Sequence, residues 1–226
     1  MGNKNIEILN ETIKIIRTGW YPSQKKKTVF NRPAKIKLKL TKAQMSETIV
    51  LSDKQVQQLV ENPPYDGPFS MGGRCRVKVS NIDSFAAAVN MTKEYLFKAD
   101  REKLLVLNFA NPVEPGGGVR RGAKAQEEDL CRKSTLLASL ESDSAKEMYR
   151  YNRTQSFVLS SDYMILTPNV EIFRDENNDY LKETVVVSVL TAAAPYVSQG
   201  TDGIGQEEIE RVFCQRIMGV LQVATT

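Results

Sequence analysis

The sequence predicts an α/β fold in which helices pack on both faces of a sheet. Two observations carry that expectation. From residue 75 onward, strand-type runs alternate with segments of helical period, the pattern of a layered α/β sandwich. The apolar run Leu104 to Leu107 leads straight into three consecutive glycines, Gly116 to Gly118, as a buried strand feeding a loop does. At 226 residues, 41% of them hydrophobic and 26% charged, the chain has ordinary globular composition and enough length for a substantial core.

Taken in order, Ile6, Leu9, Ile13 and Ile16 recur at helical spacing before Gly19, which predicts an amphipathic helix over residues 4–18. Gln24 to Lys27 reads as a short basic turn. Ile36, Leu38 and Leu40 alternate with Lys35, Lys37 and Lys39, a strand with one wet face. A short helix is expected over Ser52 to Val60, followed by the breaker cluster Asn62 to Pro68. The boundary of an N-terminal accessory region, residues 1–70, falls there, and the main domain takes residues 71–226.

Cys75 to Val79 reads as a strand, with Asp83 or Ser84 suited to cap the helix that carries Phe85, Ala86, Val89 and Leu96. Lys103 to Asn108 is a buried-type strand, and Gln126 to Leu140 the next helix. A polar helix is expected over Ser144 to Arg150, strands over Tyr163 to Leu166 and Val170 to Phe173, and a β-branched strand over Thr184 to Leu190. Ala192 to Pro195 turn the chain into a last helix, Glu207 to Val223.

Composition excludes several chemistries. There is no histidine, so His-dependent triads and most zinc hydrolase sites are out, and acid–base work falls to carboxylates, Tyr, Lys or Cys. The three cysteines, Cys75, Cys131 and Cys214, lack metal-ligand spacing and read as reduced thiols of a cytoplasmic protein. A net charge of +4 fits an ordinary solvated surface, and no nucleic-acid partner is expected. The N-terminus shows no secretory h-region, and no apolar run approaches the ~18 residues of a membrane span.

Three adjacent glycines after a strand permit positive φ and a close backbone approach to a ligand, and successive amides there form an anion nest. A flexible turn would also use glycine, but Pro112 and Pro115 stiffen this one. A P-loop needs Lys and then Ser or Thr where Ala123 and Lys124 stand, and a dinucleotide fingerprint needs glycine where Arg121 stands. Glu127 and Glu128 open a helix about 100° apart around its axis, so one suits orienting a hydroxyl and the other a proton transfer. Such a pair also serves simply to complement a helix dipole. Mutual repulsion raises their pKa values while the helix N-terminus lowers them, and these effects oppose.

The whole arrangement, GGG, a seven-residue spacer (Val119 to Ala125) and then Gln126-Glu127-Glu128, resembles the signature of microbial-type poly(ADP-ribose) glycohydrolases built on a macrodomain. Asn108-Phe109-Ala110-Asn111 is similar to the Asn-bearing strand end of that family. Val77 to Ser84 is similar to its strand and adenine-side turn, and Ser188 to Pro195 to its later strand ending in Ala-Ala-Pro. The resemblance implies a macrodomain-like three-layer α/β/α sandwich with a mixed sheet. It implies hydrolysis of ribose–ribose O-glycosidic bonds in poly(ADP-ribose), without metal or cofactor, and ADP-ribose, its polymer and ADP-ribosylated proteins as partners.

Carried onto this sequence, the resemblance makes Glu128 the catalytic acid/base and Glu127 the residue that holds ribose hydroxyls. Asn111 would contact the distal ribose; Gly116, Gly117, Gly118 and Val119 would line the diphosphate and ribose through their amides; Gln126 would support the loop. Asp83 would approach the adenine amino group, although an N-cap role explains it equally well. In this family the last helix is followed by a strand and a second glycine-rich, aromatic-bearing loop over the diphosphate. The sequence stops at Val223 to Thr226, where that strand would begin, so it reads as lacking that loop. A non-catalytic ADP-ribose-binding module, or a regulatory fragment completed by another chain, is the alternative expectation.

Overall fold

The computed structural model of the chain describes residues 2–27, 33–62, 77–95, 104–198 and 200–225. Helix α1 (Gly2–Thr18) is followed by strand β1 (Trp20–Lys27), which pairs antiparallel with β2 (Pro33–Lys37) in a separate hairpin. Short α2 (Thr41–Ser46), β3 (Ile49–Leu51) and α3 (Asp53–Glu61) complete the N-terminal segment. Then come α4 (Ser84–Tyr95), β4 (Leu105–Phe109), a 3₁₀ turn (Val119–Arg121), α5 (Gln126–Lys133), α6 (Leu136–Leu140) and α7 (Lys146–Asn152). Long strands β5 (Met164–Arg174) and β6 (Tyr180–Ala192) precede the last helix, α8 (Gln206–Thr225).

The main sheet has the order β3-β5-β6-β4 and is mixed: β3/β5 and β5/β6 are antiparallel, β6/β4 parallel. Alternation along the strands divides their side chains between two cores. Val106, Ile165, Val187 and Val189 point to one face, where they meet Leu9 of α1, Phe85 and Val89 of α4, Leu130 of α5, and Leu136, Leu137 and Leu140 of α6. Leu105, Leu107, Met164, Leu166, Leu190 and Ala192 point to the other, against Val56 of α3 and Val220 and Val223 of α8. The result is the three-layer α/β/α sandwich with a mixed sheet.

The segment before residue 70 is woven into these layers; the boundary itself lies outside the described residues. α1 buries Leu9 in the larger core, β3 extends the sheet, and α3 covers its second face. α3 is closed by a capping box in which Ser52 and Gln55 exchange bonds. Glu171 of β5 accepts from the amides of Lys39 (2.9 Å) and Leu40 (2.9 Å), holding a carboxylate at the start of α2. The hairpin packs Tyr21 against Phe173 and Tyr180 at the far end of β5 and β6, with ring centroids 5.7 and 5.5 Å apart.

Four expectations change. Gln24 to Lys27 is the second half of β1 rather than a turn, because the hairpin register reaches Lys27 opposite Pro33 through an irregularity after Pro22. The expected helix Gln126 to Leu140 is two helices. Ser134 is extended and bridges Ile172, the Thr135 amide donates to Glu171 O (3.1 Å), and the Thr135 hydroxyl bonds buried Gln44, so helical bonds are exchanged for sheet and side-chain partners. The two strands expected around Pro168 are one, β5, which absorbs Thr167 to Val170 as a bulge with Asn169 at φ 59°. Of the strand expected over Cys75 to Val79, residues 75 and 76 lie outside the described set; the rest, with Val77 81% and Val79 93% exposed, belongs to no strand. α2 and β3 carry too few residues to show a period, so no local pattern announces them.

Candidate functional site

The site lies at the carboxyl ends of the parallel neighbours β4 and β6, where open α/β sheets leave a crevice. β4 ends at Asn108 and Phe109, the loop Asn111 to Gly122 folds over that end, and α5 returns with Gln126, Glu127 and Glu128 in its first turn. Gln126 locks the return. Its Oε1 accepts the Phe109 amide (2.9 Å), and its Nε2 donates to Leu107 O (2.7 Å) and Ser84 Oγ (3.1 Å).

Glu127 is only 2% exposed and its carboxylate is held on both oxygens. Oε1 accepts Asn108 Nδ2 (3.2 Å), and Oε2 accepts the Asn111 amide (2.7 Å). Burial nevertheless pushes its pKa up to about 7; the Asn111 amide, Asn108 and the Gly116 backbone pull it down, while the charge of Glu128 adds to the rise. Glu128, 7% exposed, accepts the Gly118 amide on Oε1 (2.7 Å), while its buried Oε2 has no partner among the described residues. One carboxyl is therefore fixed by the protein, and the other keeps an oxygen in reserve.

The glycines make this possible. Gly117 sits at φ 57°, and a Cβ there would lie 2.6 Å from Glu128 Oε1 and 2.9 Å from Glu127 Oε2. The loop spends its amides internally: Gly117 donates to Glu114 O (2.9 Å), Val119 to Gly116 O (3.1 Å), and Gly118 to Glu128. This differs from the expectation that Gly117, Gly118 and Val119 present amides to a diphosphate, because tight turning and carboxylate anchoring already use those donors. Val119 is fully buried and its side chain anchors the loop in the core.

Asn111 contributes twice. Its amide binds Glu127, and its Oδ1 accepts the amides of Val113 (2.9 Å) and Glu114 (2.8 Å), an Asx turn that shapes the approach to the glycines. Asn152, the last residue of α7, and Arg153, which follows it, hold the outer side of the loop through Pro112 O (2.8 Å) and Val113 O (2.9 Å). Arg121 pairs with Glu114 at 2.6 Å and keeps that exposed carboxylate below its ordinary range. Buried Arg132 donates to Ala123 O (2.6 Å), and α1 seals the turn through Asn5, bonded to Gly122 O (2.9 Å).

Asp83 has partners of its own. Its Oδ1 accepts the Ala86 amide (2.8 Å), which settles the capping of α4 on Asp83 rather than Ser84, and its Oδ2 pairs with buried Lys133 (3.2 Å), which also bonds Asp129 (2.6 Å). Capping and ion pairing account for both oxygens. Gly116 to Gly118, Val119, Gln126, Glu127, Glu128 and the Asn111 backbone are all brought together.

Sequence reasoning passed over Asn108 as a functional side chain, and with it Thr191, whose hydroxyl meets Asn108 Nδ2 at 3.2 Å from the paired position on β6. A signal for Asn108 existed: it alternates in phase with Val106, so it is a polar residue at a core-facing position. Cys131 offers no competing nucleophile. It is fully buried, and burial, reinforced by both glutamates, raises its thiol pKa well above the usual range.

Comparison with known proteins agrees with this geometry. A family model described as the catalytic domain of microbial-type poly(ADP-ribose) glycohydrolase matches residues 10–175. A search of curated proteins gave no match. The crystal structure of the poly(ADP-ribose) glycohydrolase of Thermomonospora curvata is similar at 29% identity and a TM-score of 0.86, over 99% of this chain and 76% of that one. The same enzyme bound to the inhibitor ADP-HPD gives a TM-score of 0.83 at 29% identity, over 99% of this chain and 75% of that one. The Deinococcus radiodurans enzyme in complex with ADP-ribose is 31% identical with a TM-score of 0.69, over 84% of this chain and 72% of that one. With most of its length matched and the glycine loop closed over two buried glutamates, the chain belongs to the family of microbial-type poly(ADP-ribose) glycohydrolase catalytic domains.

Proposed function

We propose that Glu128 is the acid/base with which this glycohydrolase cleaves the ribose–ribose O-glycosidic bonds of poly(ADP-ribose), releasing ADP-ribose. The observation that carries the assignment is the buried Oε2 of Glu128, without a partner among the described residues, beside a Glu127 whose two oxygens are already engaged. A buried polar atom without a partner calls for one, and a substrate oxygen is the natural candidate. Protonated Glu128 gives its proton to the departing 2′-oxygen as the bond from C1″ breaks. Water then attacks the oxocarbenium-like C1″ and returns a proton to Glu128. The Gly118 amide holds the other Glu128 oxygen, which fixes the carboxyl while its proton comes and goes.

Glu127 has a different part: fixed by Asn108 and the Asn111 amide, it presents a rigid carboxyl to hydroxyls of the distal ribose. The same reading takes ADP-ribosylated proteins as the natural substrates, a macrodomain as the evolutionary frame and the cytoplasm as the setting. Glu128→Gln keeps the shape and removes the proton transfer. Polymer hydrolysis should fall about 100- to 10,000-fold, while ADP-ribose binding stays measurable by titration calorimetry. Turnover at the wild-type rate in this variant refutes the assignment.

A further inference from the structure

A second concavity, of about 400 Å³, opens beside the glycine loop between the Val113–Glu114 turn and the segment after α7 that carries Arg153, Gln155, Phe157 and Ser160. That volume falls within the range of ligand pockets, roughly 300 to 1,000 Å³. One wall, Val113 and Glu114, belongs to the loop that holds the glutamates: both amides donate to Asn111 Oδ1, and the Asn111 amide donates to Glu127. The Glu114 backbone carbonyl accepts the Gly117 amide at 2.9 Å, and its carboxylate pairs with Arg121 at 2.6 Å. A Cβ placed on Gly118 would lie 3.8 Å from Arg121 Nη2 and 3.4 Å from Glu128 Oε1.

Two side chains give the cleft a chemical character. Phe157 is 54% exposed and is held edge-to-face on Tyr196 with centroids 5.2 Å apart at 83°. A ring braced on one side in this way offers a stacking surface to a flat base. Arg153 spends one N–H on Val113 O and its charge also acts on the neighbouring Glu114 carboxylate; being exposed, it keeps further N–H donors of its fork for a phosphate. Among the described residues the ring partner of Phe157 is Tyr196, whereas Arg153 also braces the glycine loop through Val113 O.

We infer that this cleft binds the nucleotide on the leaving side of the scissile bond: the adenine of the departing unit stacks on Phe157 and its diphosphate meets Arg153. The inference rests on the hydrolase reading above, since only a polymer places a second nucleotide next to the bond being cut. Chemistry demands such a neighbour, because the oxygen that Glu128 protonates is the 2′-oxygen of that unit's adenosine.

The test compares poly(ADP-ribose) with a 1″-O-alkyl glycoside of ADP-ribose, which has the same reacting carbon but no departing nucleotide. Phe157→Ala and Arg153→Gln should each lower the ratio of polymer to alkyl-glycoside kcat/KM by about 10-fold, chiefly through KM for polymer. Phe157→Leu, which keeps apolar bulk without a ring, should behave as Phe157→Ala does and guards against a folding artefact. An unchanged ratio in all three variants overturns the subsite while leaving the hydrolase intact. Wild-type protein inert toward both substrates overturns the hydrolase reading and the subsite with it.

Discussion

At the scale of single residues, the two neighbouring glutamates differ because their neighbours differ. Glu127 is buried among Asn108, the Asn111 amide and Glu128, and its pKa of about 7 exceeds the ordinary 4.5. The folded state therefore binds more protons than the unfolded chain between about pH 4.5 and pH 7, and the stability associated with protonated Glu127 is lost as pH rises through that window. Denaturant titrations at pH 5 and pH 8 should show wild type losing up to about 3 kcal/mol that Glu127→Gln does not lose. Equal losses in the two proteins would assign the pH dependence to another group. The sequence placed both carboxylates in the first turn of a helix; it left open whether burial or amide donors would prevail at Glu127, because that balance depends on a loop that folds back from elsewhere.

Among elements, the junction of β4, the glycine loop and α5 is held by Gln126, which bonds the backbone of Phe109 and Leu107 and the Ser84 hydroxyl at the start of α4. Gln126→Ala leaves a strand-end amide and carbonyl unpaired, so urea denaturation should show a loss of about 1–3 kcal/mol. The polymer kcat should fall as well, because the first turn of α5 loses its tether. A variant with wild-type stability and kcat would show that the glycine loop alone fixes that turn. Element identity was largely legible: α1, α3, α4, β4, β6 and α8 follow from hydrophobic period and caps. Failures cluster where distant partners compete with local preference. Ser134 and Thr135 leave their helix because Ile172, Glu171 and Gln44 supply other bonds, and β5 runs through Pro168 because β6 continues to pair on both sides of the bulge.

For the whole molecule, the cohesion of the layers depends on a few buried polar ties as well as on two apolar cores. Arg216 of α8 is 5% exposed and bonds Asp162 (2.8 Å), Ala193 O (3.1 Å) and Leu159 O, joining the last helix to the end of β6 and the approach to β5. Arg216→Ala strips Asp162, whose side chain is only 13% exposed, of its cation and leaves two carbonyls without their donor, so it should cost about 3–5 kcal/mol in denaturation; a loss under about 1 kcal/mol would mean that Gln215 and water suffice for Asp162. The sequence by itself determined the α/β class, the spacing from the glycines to the glutamates and, through that spacing, the family, because period and spacing are local properties of a chain. Only the tertiary structure decided that Asn108 and Thr191, paired across parallel strands, meet beside Glu127, that the segment up to residue 62 supplies a helix, a strand and a covering helix to the sandwich, and that Glu128 keeps one oxygen without a partner among the described residues. Those facts depend on register and packing between segments far apart in sequence, where no local pattern specifies which group faces which.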